Sequence, residues 1–258
     1  MGNVDVKIMG VQARLQYINA LKRQLGLTWE DCIIDDRGFM GGGDAWYNAK
    51  RAWTAPAAPG ATHRLVLQDD AIVCHGFLEI VEKSVSKHPT AAWSFYNKHT
   101  TKIKRVHDTP YFRQNGGQTG GVALCLPLPL IPEMIRWSDA VFGTKYKHDD
   151  SRFGWFCQYN EVLFMGLSKS LVGHRPVETT LPHHHDKRRR CGEFAFDVAG
   201  MDFDSDEVNE SSWCLPYIWL NEKDPHWKTA QEMADVVKER RNARKKEEQL
   251  KRRMETGV

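Results

Sequence analysis

The most pointed chemistry in this 258-residue chain is a pair of adjacent carboxylates, Asp69 and Asp70. They follow the strand-like run 63–67 through Gln68 and precede the apolar residues 71–73. Neighbouring carboxylates repel, and at the edge of a buried strand they stay ionised only if water, hydrogen bonds or a cation compensate. A divalent metal meets that need; a strand-end turn with both groups in water meets it too, since Asp favours turns. A second pair, Asp149-Asp150, stands before Ser151 and a helical stretch. Asp150 can cap that helix, and a carboxylate held near an acceptor hydroxyl can act as a general base.

Histidines supply the next candidates. His174 follows a short β-rich segment at 170–172. His183-His184-His185-Asp186 are permissible zinc ligands, but alternate strand residues face opposite sides, so consecutive imidazoles do not easily converge on one ion. Lys187-Arg188-Arg189-Arg190 follow at once, as a solvated loop or as one that closes over an anion. Gly41-Gly42-Gly43 lack the spacing of a phosphate-binding loop and read as a turn. Gly116, Gly117, Gly120 and Gly121 would let the backbone approach a ligand closely. Trp93, Tyr96 and Trp155 can stack on a ring or fill a core.

The elements that must position these groups alternate short β-rich runs with amphipathic helices over the first two thirds, which is the α/β pattern. Residues 4–9 form a strand, and Leu15, Ile18, Leu21 and Leu25 recur at helical spacing until Gly26 ends the helix. Strand 32–34 runs into Asp35-Asp36, and Asp44 can cap a helix with Ala45, Ala49, Ala52 and Trp53 on its apolar side. Strand 63–67 delivers Asp69-Asp70 to the carboxyl end, where ligands of parallel α/β sheets bind. Phe77, Ile80, Val81 and Val85 mark a helix, 91–96 and 120–126 two strands, and Pro132 the first turn of another helix. The helix after Asp149-Asp150-Ser151 carries Phe153, Phe156, Asn160, Leu163 and Leu167 on one side, and 170–172 form a last strand. A final helix starts near Pro225, amphipathic through Val237 and polar beyond.

Residues 65–73, Leu-Val-Leu-Gln-Asp-Asp-Ala-Ile-Val, resemble the Asp-x-Asp segment of nucleotide-sugar glycosyltransferases of the GT-A type. Other segments fall in the same order. Val11-Gln12-Ala13-Arg14 resembles the start of that family's nucleotide-binding half, and Asp35-Asp36 lie where the family often contacts base or ribose. Residues 48–53 resemble the helix whose polar side chains face the nucleotide, Asp149-Asp150 the acidic pair near the acceptor, and residues 170–174 the late strand whose histidine completes the metal site. The resemblance spans roughly residues 4–181 and is nearest to small phage-encoded or bacterial members. It departs from the pattern at Gln68, which stands at the motif's first acidic position, with Asp70 at the second.

The resemblance implies an α/β fold of GT-A (Rossmann-like) type, a mixed, mostly parallel sheet flanked by helices, with a helical C-terminal extension. It implies Mn²⁺ or Mg²⁺ on Asp70 and His174 with two diphosphate oxygens, the imidazole favouring Mn²⁺. His183 or His185 stands in reserve for His174, and Asp69 reaches the ribose or the metal's water. The donor is a nucleotide sugar, a UDP-sugar first, met by Gln12, Arg14, Asp35, Asp36, Asn48, Lys50, Asp69, Gly120 and Gly121. Arg14, with Lys50 or Arg51, assists the leaving diphosphate. Asp150 or Asp149 is the base if the reaction inverts configuration; a retaining reaction needs none.

Composition sets the outer bounds. With 41% hydrophobic and 27% charged residues the chain can bury a sizeable core without disulfides, and its net charge of +3 argues against a nucleic-acid coat or an acidic disordered protein. The basic character sits at 238–253, where nine Lys or Arg face three Glu. No apolar stretch spans a membrane, since 122–135 is broken by Pro127, Pro129 and Pro132, and residues 1–11 lack a secretory pattern. A cytoplasmic protein is expected, in the host cytoplasm if phage-encoded. The six scattered cysteines read as buried free thiols, and Asn209-Glu210-Ser211 as a polar loop. Residues 1–181 are expected to form the catalytic domain, 182–224 a basic, His-rich segment completing it, and 225–258 a basic helix. That helix, together with the resemblance to phage-encoded members, makes hydroxymethylated bases of phage DNA the first acceptor to consider. Protein or glycan hydroxyls are the alternative, beside a non-catalytic nucleic-acid-binding module and a nucleotide hydrolase.

Overall fold

The computed structural model describes residues 4–96, 111–113, 120–144, 146–175, 202–205, 208–210 and 222–256. The strands among them are β1 (Val4–Gly10), β2 (Cys32–Ile34), β3 (His63–Gln68), β4 (Ala71–Val73), β5 (Ala92–Ser94), β6 (Tyr111–Arg113), β7 (Ala123–Pro127), β8 (Phe164–Leu167), β9 (Val172–His174) and β10 (Val208–Glu210). The helices are α1 (Leu15–Leu25), α2 (Ala45–Thr54), α3 (Phe77–Lys87), α4 (Ile131–Phe142), α5 (Asp149–Tyr159) and α6 (Trp227–Thr256). The result is a mixed α/β fold with a helical C-terminal extension.

Eight strands pair in the order β10-β6-β8-β5-β7-β3-β1-β2, and β4 pairs with β9 separately. β1, β2, β3, β5 and β8 run one way, while β7 and β6 are antiparallel to their neighbours β3, β5 and β8. The carboxyl ends of five strands therefore share one edge of the sheet.

Alternation within the strands divides the core into two faces. Leu65 and Leu67 look toward Ile18 and Leu21 of α1 and Ile80 and Val81 of α3, whereas Val66 looks toward Ala49 and Trp53 of α2, Met134 of α4 and Phe156 of α5. Gly26 ends α1 at φ 67°, a backbone state glycine adopts without strain, and Asp44 caps α2 by accepting from the Tyr47 N–H at 3.1 Å. Charge is buried between β1, β3 and α2. Arg64, 1% exposed, pairs with Asp5 at 2.7 Å and also donates to the Trp53 carbonyl at the end of α2. A third apolar cluster joins Phe142, Tyr146 and Trp155 to Ala230, Met233, Ala234 and Val237 of α6.

Several expectations are corrected. α5 begins at Asp149, with His148 as its N-cap, so Asp149 and Asp150 lie in the first turn rather than ahead of it. Acidic side chains there complement the positive end of the helix. Leu163 and Leu167 do not belong to that helix: the chain turns through Glu161 at φ 56° and continues as β8. A short apolar run serves either structure, and no periodicity separates the two. β9 starts at Val172 instead of ending there, and the Asn209-Glu210 segment pairs with β6 as an edge strand. Trp93, Tyr96 and Trp155 are core residues, each at most 3% exposed. Cys74, Cys125 and Cys157 are buried free thiols and Cys32 is half-buried. His183 to His185, residues 186–190, residues 115–119, Cys191 and Cys214 lie outside the described residues. Among the described residues no helix is long and apolar enough to cross a membrane.

Candidate active site

The turn between β3 and β4 places Asp69 and Asp70 at the shared carboxyl edge, and both are nearly inaccessible at 4% and 5% exposure. Two groups compensate them. Val11, just past β1, donates its N–H to Asp69 Oδ2 at 3.0 Å. Arg14 places Nη1 2.8 Å from Asp69 Oδ1 and 3.0 Å from Asp70 Oδ2. Gly10 lets this approach happen, because a Cβ there would lie 2.6 Å from Asp69 Cβ and Oδ2. Burial, and then the charge of Asp70, still push the Asp69 carboxyl up to about 6, against the pull of Arg14 and the Val11 N–H. For Arg14 burial disfavours the charge, but the two carboxylates outweigh it and raise its basicity.

His174 reaches the pair through strand pairing. β9 runs antiparallel to β4 with His174 opposite Ala71, and the Arg175 N–H donates to the Asp70 carbonyl at 2.8 Å. The imidazole Nε2 lies 3.2 Å from Asp70 Oδ2, while Nδ1 lies 2.8 Å from the Arg175 carbonyl. A carbonyl only accepts, so Nδ1 carries a proton, and the ring in its metal-ligating form turns the Nε2 lone pair toward the carboxylate. Asp70 Oδ1 and His174 Nε2 are both buried without a hydrogen-bond partner among the described residues. A carboxylate and an imidazole nitrogen that approach each other in a buried place, with these two atoms lacking such a partner, suit a divalent cation such as Mn²⁺ or Mg²⁺. Among the described residues no group of three or more His, Cys, Asp or Glu has metal-binding geometry, so the remaining ligands of such an ion would come from its substrate or water.

Gln68 connects this cluster to the second acidic pair. Its side chain hydrogen-bonds the Asp149 carboxylate, and a Cβ on Gly121 would come within 2.8 Å of Gln68 Nε2, 3.1 Å of Asp149 Oδ2 and 3.3 Å of Asp150 Cβ. Burial, and then the charge of Asp150, push the Asp149 carboxyl up to about 7. Gly120 lies against the Tyr96 ring, which is 6.4 Å from the His174 ring, so the circle closes. Arg14, Asp69, Asp70 and His174 thus form one contact group, joined through Gln68 and Tyr96 to Asp149, Asp150, Gly120 and Gly121.

The other sequence candidates sit apart from the carboxylates. Gln12 is exposed in the turn before Arg14. Asp35 is buried in a two-point pair with Arg37, 2.6 Å at its shortest, with Gly41 packed beside it, and Asp36 accepts from the Tyr47 hydroxyl. Asn48 is a clamp, donating to the carbonyls of Gly10 at 3.1 Å and Ile33 at 3.3 Å, and so holds the ends of β1 and β2 together. Lys50 pairs with Asp139 of α4 at 3.0 Å, and Arg51 donates to the Ile34 carbonyl. Sequence reasoning did not single out Gly10, the Val11 N–H or Arg175, whose guanidinium lies 5.2 Å over the Tyr17 ring. Position beside Arg14 and His174 in the chain was the available signal.

No family model matches the chain, and no curated protein matches it. Among solved structures it is similar to a mutant of Drosophila beta-1,4-galactosyltransferase 7 in complex with manganese, UDP-Gal and xylobiose, at 10% identity over 78% of this chain and 84% of that one, with a TM-score of 0.37. A likeness of that size assigns nothing to individual residues.

Proposed function

We propose that the protein is a metal-dependent glycosyltransferase that moves a sugar from a nucleotide-sugar donor, a UDP-sugar first, to an acceptor hydroxyl. The observation that carries this reading is the convergence of Asp70 and Nε2 of His174 at the carboxyl edge of the parallel strands, with Arg14 against the same carboxylate. The order of these residues along the chain is what the GT-A resemblance implies. Asp70 and His174 would hold the metal, which when bound supplies positive charge to the leaving diphosphate. Arg14 binds the same anion as a fork of donors, and Asn48 and Val11 keep the strand ends that face it in place. Asp149 and Asp150, across Gln68, are the groups to take the acceptor's proton if configuration inverts.

The acceptor reading is a hydroxymethylated base of DNA, supported by the Lys- and Arg-rich distal half of α6. The test is thermal melting with nucleoside diphosphates and nucleotide sugars, each with Mn²⁺ or EDTA, on the wild type and Asp70→Ala. A ligand at 100 times its dissociation constant stabilises the fold by about 2.7 kcal/mol. A Mn²⁺-dependent shift that Asp70→Ala abolishes is the expected result, and no shift with any nucleotide sinks the reading. Turnover of the nucleotide sugar without any acceptor would favour a hydrolase instead.

A further inference from the structure

Resting on that reading of Asp70 and His174, we propose that Arg14 is the resident counter-cation of the acidic pair, and that metal and diphosphate bind cooperatively because each relieves the cost of the other at Arg14. The geometry concentrates both demands on one atom. Oδ2 of Asp70 meets Arg14 Nη1 at 3.0 Å and His174 Nε2 at 3.2 Å. A divalent ion held by that oxygen and that imidazole therefore stands beside the guanidinium, in a place where the side chains of Arg14, Asp69 and Asp70 are 11% exposed or less. Two like-charged groups in such surroundings repel strongly, since little water screens them.

Charge balance gives the direction. Among the described groups in contact, two carboxylates and one guanidinium leave a net charge of −1, offset further by the Val11 N–H. Adding a divalent ion to all three makes the group net positive. A nucleoside diphosphate removes that excess, because its oxygens offer the guanidinium a bidentate partner in exchange for Asp69 and Asp70. Arg14 then leaves the carboxylates as the metal enters. Such mutual relief is a coupling free energy, and it must appear equally in the affinity of either ligand. It also predicts weak metal uptake by the protein alone, with the acidic pair partly compensated by Arg14.

The experiment measures Mn²⁺ binding to the intact protein from the free-ion paramagnetic resonance signal, and UDP binding by calorimetry with and without Mn²⁺. Arg14→Met removes the guanidinium's charge and keeps an unbranched stem. Expected is at least about tenfold tighter Mn²⁺ binding by Arg14→Met than by the wild type, with a smaller Mn²⁺ effect on the UDP dissociation constant. Equal or weaker Mn²⁺ binding by a cooperatively melting Arg14→Met overturns the exchange. If that variant does not fold, Arg14→Gln replaces it, because it also removes the charge and keeps a hydrogen-bond donor for the carboxylates; tighter Mn²⁺ binding than by the wild type is again expected and no gain overturns the proposal. Absence of Mn²⁺ uptake by the wild type even with UDP, with Asp70→Ala indistinguishable from it, is a separate result that overturns the metal reading together with the exchange.

Discussion

Nε2 of His174 stands 3.2 Å from Oδ2 of Asp70, although the two residues are more than one hundred positions apart in the chain. The pairing of β4 with β9 makes this possible, since it fixes His174 opposite the residue after Asp70. Because Nδ1 can only donate to the Arg175 carbonyl, the ring in its metal-ligating form offers Asp70 the Nε2 lone pair. That arrangement is unfavourable between protein groups alone and favourable around a cation. The same two residues also sit where β3, β1 and β2 all end, so an anion bound along that edge meets the cation without leaving the sheet.

His174→Ala should therefore separate binding from folding. The ring makes one described hydrogen bond, to the Arg175 carbonyl, whose loss costs about 1 kcal/mol. Mn²⁺-dependent UDP affinity should fall by at least about tenfold, while UDP affinity in EDTA stays within about twofold. Calorimetric titration of both proteins in both buffers decides it. Equal Mn²⁺ dependence would show that the imidazole does not meet the ion.

Gly10 gives a steric test of the same cluster. A methyl group there meets Asp69 Cβ and Oδ2 at 2.6 Å and Ile18 Cδ1 at 2.8 Å, so Gly10→Ala must displace the carboxylate from the Val11 N–H or strain β1. Overpacking of this kind costs roughly 1–3 kcal/mol. Gly26→Ala is the control: nothing lies within 4 Å of its Cβ, but its φ of 67° makes it costly by about 1 kcal/mol. At matched loss of stability, Gly10→Ala should weaken nucleotide binding and Gly26→Ala should not.

The strands and helices that bury one clear face were legible before any coordinates. Leu15 to Leu25 with its stop at Gly26, the Asp44 cap and the run into Gln68 each combine periodicity with a chemically specific end signal. β6, β8 and β10 lacked such signals, being three or four residues long and defined by the neighbours they pair with rather than by their own pattern. The acidic pair was legible for the same reason as β3. What the sequence could not show was partnership: Lys50 and Arg51 share a helix with Asn48, and only the packing of α2 against α4 gives Lys50 to Asp139 while Asn48 turns to the strand ends.

Among the described residues, α6 buries side chains along its first half, and its last turns carry exposed apolar side chains. Ala230, Met233, Ala234 and Val237 are buried, Arg240 donates to the Tyr159 carbonyl at 2.7 Å and Arg244 pairs with Glu161 at 2.5 Å, whereas Leu250 and Met254 are 60% and 77% exposed. Removing residues 245–258 should leave the melting temperature within about 2 °C of the full chain, since surface helix ends contribute little to global stability. The same truncation should weaken retention on duplex DNA and flatten its salt dependence, measured by filter binding at several salt concentrations. An unchanged salt slope would remove α6 from any role with nucleic acid.

Asp149 supplies a pH test in which the sign is fixed by burial. Its carboxyl is raised from an ordinary value of 3.8 to about 7, by desolvation first and by the charge of Asp150 second. Between about pH 4 and pH 7 the folded protein therefore holds this proton more often than the unfolded chain does, so the contribution of Asp149 to stability is full below pH 4 and is lost as pH rises through 7. Asp69, raised to about 6, acts in the same direction but is present in both proteins of the comparison. Asp149→Asn abolishes the titration while keeping an acceptor for Gln68, so the stability difference between variant and wild type should grow in the variant's favour by a few kcal/mol from pH 4 to pH 7.5. Denaturant midpoints at the two pH values measure it, and parallel profiles would show that Asp149 is not held protonated. Sugar transfer adds the functional half of the test. If Asp149 is the base, the rate climbs with pH through about 7 and collapses in Asp149→Asn; if Asp150 is the base, Asp150→Asn abolishes it instead.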